Sequence, residues 1–197
     1  MSRPIYRGLF RIDLITRGGV LTPVPGAALA RAIAAAAETA GAPTPASVGL
    51  VLSDDAELAG LNASHLGKRG PTDVLSFPLL PPEAFPPHPG GPLDREATSG
   101  SLGSAASFAL PPGRRPHLGD IVVSVERAIA QARSGRGGQT GDVRWSTADE
   151  LLLLVTHGTL HLCGWDHAER NEGAAMRDLE ARLLGSLSRR ATRPGQI

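Results

Sequence analysis

The sequence predicts an α+β fold, a small mixed sheet packed with about five helices, and three observations carry that expectation. Short apolar runs of strand length alternate with stretches of helical period, the pattern of helices layered on a sheet. The 197 residues, 41% apolar and 20% charged, have the composition of one folded domain and exclude collagen, coiled coil and wholesale disorder. Residues 151–155 are too apolar for any surface helix, so the helix that contains them should be the buried centre.

Residues 9–15 form an apolar-rich run that Gly18-Gly19 ends, the mark of a first strand. A helix comes next. Pro25-Gly26 precedes it, Leu29, Ile33 and an alanine run supply its apolar stripe, and Gly41 stands where a C-cap glycine would end it. Residues 47–53 have the character of a buried strand, and Asp54-Asp55 can cap a short helix through Leu58 and Leu61. Residues 72–77 alternate as a strand; 118–125 supply the next and run into a helix over about 126–133. After a Gly-rich turn at 135–141, Thr147 and Glu150 have the spacing of a capping box for the central helix.

Two stretches fall outside this pattern. Residues 79–117 hold nine of the 17 prolines and five glycines, with no hydrophobic period, and are expected to form a mobile insertion between two strands. Residues 185–197, with Arg189, Arg190 and Arg193 before Pro194-Gly195, have the look of a flexible basic tail. What remains is a single domain over 1–184.

The single cysteine, Cys163, excludes a disulfide framework and any all-cysteine zinc site, which fits a reducing cytoplasm. No apolar run has the length of a membrane span, and Arg3, Arg7, Arg11 and Asp13 interrupt the N-terminus where a signal peptide would be apolar. A soluble, cytoplasmic protein is expected. Twenty basic residues, of which only Lys68 is lysine, against 19 acids leave a net charge of +1, too little to coat a polyanion except through a local patch.

The chemistry lies at the end of the central helix, in His157-Gly158-Thr159-Leu160-His161-Leu162-Cys163-Gly164-Trp165-Asp166-His167. His157 and His161 are four residues apart and share one helix face, so both rings can reach one ion. Gly164 breaks the helix and, as a C′ residue with positive φ, turns the chain so that His167 comes back toward the same point. Three imidazoles leave a fourth position open for water, the arrangement of a catalytic zinc site, and nitrogen ligands favour Zn²⁺ over Mg²⁺ or Ca²⁺. Cys163 falls about 240° around the helix from His157, on the opposite face, and reads as packed core. Asp166 suits either a ring N–H of a ligand or the cap of the next helix, which starts near Ala168 and Glu169.

The same spacing occurs in zinc proteases, but these place a Glu directly after the first His as general base. Here that position is Gly158, which can take no proton.

The run His157 to His167 resembles the signature of the bacterial YbeY proteins, zinc-dependent endoribonucleases of ribosomal RNA maturation, with Trp165 where an aromatic, commonly Tyr, is usual. Leu61-Asn62, Gly67-Lys68 and Pro71-Thr72-Asp73-Val74-Leu75-Ser76-Phe77-Pro78 are similar to that family's central loop and strand, and Leu118 to Ser124 to its next strand. Many members carry Tyr-Arg where this chain has His65-Leu66, so the usual RNA-contacting arginine is missing at Leu66; Arg69, three residues on, is the candidate to replace it. The resemblance implies a cleft with one zinc per chain at its floor, held by His157, His161 and His167. Lys68, Arg69 and Ser76 are then the candidate substrate-binding residues. It further implies single-strand cleavage in rRNA maturation, including the 3′ end of 16S rRNA, with ribosomal proteins or assembly GTPases as partners. Two other classes share the motif: a zinc-binding ribosome-assembly factor without nuclease activity, and a hydrolase of small esters or peptides.

Overall fold

The computed structural model describes residues 4–88, 115–134 and 145–191, with side chains as far as Leu187. Ile5–Arg7 (β1) turns through Gly8 and Leu9 into Phe10–Thr16 (β2), and the two pair antiparallel. Three residues are too few to show alternation, which is why β1 has no signal in the sequence. Gly26–Thr39 (α1) ends at Gly41 as expected: at φ 71° this glycine lets its own N–H reach Glu38 O and that of Ala42 reach Ala37 O.

Ala46–Ser53 (β3) lies parallel to β2, and Asp54 then caps Asp55–Leu66 (α2) by accepting the Glu57 N–H at 2.9 Å. Val74–Pro78 (β4) and His117–Ser124 (β5) pair antiparallel, and β5 runs parallel to β3. The sheet order is β1-β2-β3-β5-β4. Val125–Ser134 (α3), Thr147–Leu162 (α4) and Arg170–Ala191 (α5) complete the described elements, an α+β fold with a mixed five-stranded sheet.

Strand alternation divides the core. Ala46, Val48, Leu50 and Leu52 of β3 point into the main cluster with α1, α4 and α5, whereas Val51 and Val122 pack under Leu58 of α2 on the other face. Helix α4 touches α1, α3, α5, β4 and β5, so it is the buried centre its composition demanded.

Several expectations need correction. The cap of α4 sits one residue earlier: Ser146 Oγ accepts the Asp149 N–H at 3.2 Å and the Asp149 carboxylate accepts the Ser146 N–H at 2.9 Å. Glu150 is turned inward instead, 2% exposed, and accepts the Trp145 indole N–H at 2.6 Å. The predicted tail is helical as far as Ala191, because Leu179, Leu183 and Leu187 continue the buried stripe at four-residue steps; 192–197 lie outside the described residues. Of the segment 79–117, residues 89–114 are likewise outside them, as is the turn at 135–141. The ten residues after β4 belong to the fold: Pro82–Ala84 makes a 3-10 turn, Phe85 is 6% exposed within the main core, and Leu80 packs beside it.

Candidate metal centre

Leu151, Leu160 and Leu162 fix the roll of α4 by burying completely, and this leaves His157 and His161, one turn apart, on its half-buried side. The helix ends at Leu162, with Cys163 as its C-cap. Gly164, at φ 84°, donates its N–H to His161 O and the next N–H, from Trp165, goes to Leu160 O, both at 3.1 Å. That glycine turn brings His167 back to the helix face. The ring centroids of His157 and His161 are 4.5 Å apart, and that of His167 lies 5.6 and 5.1 Å from them. One ligand nitrogen from each of the three falls within 4.8 Å of the others.

Hydrogen bonding and burial act on two of these rings. His157 Nδ1 donates to Glu180 Oε1 of α5 at 2.8 Å, which leaves its Nε2 lone pair pointing at His161 Nε2, 3.0 Å away. Burial, then the neighbouring His157 and His167, push the His161 imidazole down to about 4, so at neutral pH its ring is uncharged. The donor set and its oriented carboxylate fit a borderline divalent ion.

Gly158, between the ligands' turns, is where α4 meets the sheet. A Cβ there would stand 2.7 Å from Ile121 Cγ2 and 3.2 Å from Val74 Cγ2, so the peptidase glutamate has no room. Ser76 Oγ donates to Gly158 O at 3.0 Å and ties β4 to α4 beside His157. Lys68 and Arg69 stand exposed after Gly67, the left-handed cap of α2, and form no ion pair among the described residues. Their loop is pinned by buried Asn62, whose Nδ2 donates to Gly70 O at 2.8 Å and whose carbonyl accepts the Lys68 N–H. Leu66 is 54% exposed at the end of α2. Asp73 is occupied: burial alone would raise its carboxyl, yet bonds from Gln131, Thr72 and the Val74 N–H hold it below the usual range. Cys163 is core, as its helical angle implied, and burial pushes its thiol up to about 12.

Among the described residues the Asp166 carboxylate bonds neither a ring of the cluster nor the first turn of α5; it accepts the His167 backbone N–H at 2.7 Å. The carboxylate that holds one ring of the cluster is Glu180, which sequence reasoning missed. Its signal was present: Glu172 and Glu180 fall in the same four-residue step as Met176, two acids on an apolar face.

Residues 26–188 match the family model described as Endoribonuclease YbeY. The chain belongs to this family. A relative named Endoribonuclease YbeY from Paramagnetospirillum magneticum is 36% identical over 70% of this chain and 65% of its own length, just under two thirds. One of the same name from Chelativorans is 34% identical over 80% of this chain and 76% of its own length. A solution structure of a Thermotoga maritima protein aligns with 94% of this chain and 99% of its own at 19% identity, with a TM-score of 0.49. Among the described residues no helix is long and apolar enough to cross a membrane.

Proposed function

We propose that the chain is a zinc-dependent endoribonuclease of single-stranded RNA that acts in ribosomal RNA maturation, including the 3′ end of 16S rRNA. The observation that carries this reading is the three-histidine cluster with its orienting Glu180, in a chain whose family is named for endoribonuclease activity. His157, His161 and His167 would hold one ion per chain. When bound, such an ion polarises a phosphoryl oxygen and lowers the pKa of water.

The chain's own residues do the rest. Glu180 keeps the His157 tautomer fixed, the Gly164 turn sets His167, and Ser76, its proton committed to Gly158 O, acts by holding β4 against α4. Lys68 and Arg69, without ion pairs among the described residues and on a pinned loop, meet the phosphates where negative charge builds, and Arg69 replaces the arginine missing at Leu66. Ribosomal proteins and assembly GTPases are the partners this role calls for, in the cytoplasm.

The test is cleavage of single-stranded and duplex RNA across a salt series. Lys68→Ala and Arg69→Ala should each weaken cleavage and flatten the salt dependence of binding by about 0.7 per lost contact, with zinc retained. Peptide hydrolysis by a protein that leaves RNA intact would overturn the reading. A 2′,3′-cyclic phosphate on the products reports attack by the 2′-hydroxyl, and its absence reports attack by water.

A further inference from the structure

The loop that carries the third ligand is held from outside by a residue far from it in sequence. His88 lies at the end of the ten described residues after β4, and its ring stacks on Trp165 with centroids 4.1 Å apart and planes 15° from parallel. Its Nε2 stands 3.2 Å from Gly164 O and 3.5 Å from Glu172 Oε1. Both neighbours are acceptors, so Nε2 carries the proton. Nδ1 is buried with no partner among the described residues, a cost that the other contacts of the ring must offset. Glu172, 4% exposed on α5, also accepts the Asp166 N–H at 3.0 Å. His88 thus grips Gly164 and Trp165, Glu172 grips Asp166, and His167 is the next residue.

We propose that His88 is a positioning residue for the metal centre, clamping the turn Gly164–Asp166 onto Glu172 so that His167 is presented to the ion before it binds. The histidine pair on α4 needs no such help, being fixed by a buried helix. His167 is exposed, rides on a turn, and makes no side-chain hydrogen bond among the described residues, so its place depends on the backbone that carries it. A ligand fixed in advance spares the ordering cost at the moment of binding. The clamp also gives the segment after β4 a function: Phe85, buried in the core, anchors the stretch that delivers His88.

This inference rests on the three histidines binding a metal, and the experiment separates the two ideas. Zinc affinity is measured by competition with a chromogenic chelator for wild type, His161→Ala, His88→Ala and His88→Phe, and the thermal midpoint of each is recorded without metal. Wild type should bind one equivalent and His161→Ala should not; binding by neither protein removes the metal centre and the clamp with it. His88→Ala should bind about tenfold more weakly, the low end of what ligand-orienting groups cost. His88→Phe, which keeps a ring on Trp165 but lacks the donor, should fall between them. Wild-type affinity in whichever His88 variant folds, beside a His161→Ala that has lost its zinc, overturns the clamp alone. An affinity loss that merely tracks a fallen metal-free midpoint, equal in both variants, does so too.

Discussion

A methyl group added at Gly158 would meet Ile121 Cγ2 at 2.7 Å and Ser76 Oγ at 3.1 Å. Gly158→Ala gains about 1 kcal/mol of helix propensity, but the overpacking costs about 1–3 kcal/mol, so a net loss is expected in urea unfolding. His161 offers a second test at the same scale. Its folded value of about 4 lies below the ordinary 6.5, so on acidification the unfolded chain takes up the proton first. Stability of the metal-free protein is therefore complete above 6.5 and drains away as pH falls through 4, by roughly 3 kcal/mol. Melts in chelator should show this fall and His161→Asn should lose it; a flat profile in wild type contradicts the burial argument. The clustering of the three histidines was legible in the sequence because spacings of four and ten, with a glycine between, translate directly into helix geometry. Glu180 stood out only as an acid on an apolar face; its pairing with His157 was not legible, since 23 residues separate them and only the docking of α5 brings them together.

Elements were legible where periodicity ran long and illegible where a few residues had outsized contacts. The alanine stripe of α1 and the apolar centre of α4 reveal themselves by composition, and Gly41 and Gly164 mark their ends because positive φ needs glycine. The stretch after β4 hides its packing: it leads into a segment rich in proline and glycine, and its own few apolar residues over 79–88 show no period although Phe85 is core. Phe85→Ala should cost about 3–5 kcal/mol in urea denaturation, whereas a loop residue would cost under about 0.5 kcal/mol. Likewise α5 outruns its predicted end because Leu187 sits one helical step beyond Leu183, a signal that the neighbouring arginines mask.

For the whole molecule, one sheet face carries α2 and the other carries α1, α4 and α5, so two of the three clustered histidines stand on a helix packed in the core rather than on loops. That placement favours ligand geometry held to within a fraction of an ångström. The mixed strand order could not be read from the sequence, because local pattern identifies strands but not their neighbours; β5 inserting between β3 and β4 is a long-range choice. With a net charge of +1, the RNA binding proposed above would depend on a local patch such as Lys68 and Arg69. In the proposed function three histidines hold one ion on which RNA cleavage depends. Its most direct test is to titrate chelator-stripped protein with zinc while measuring cleavage of a single-stranded RNA, wild type beside His161→Ala. Cleavage should rise to a plateau at one equivalent in wild type and stay at background in the variant. Equal cleavage by both proteins, or full cleavage by wild type before any zinc is added, would contradict it.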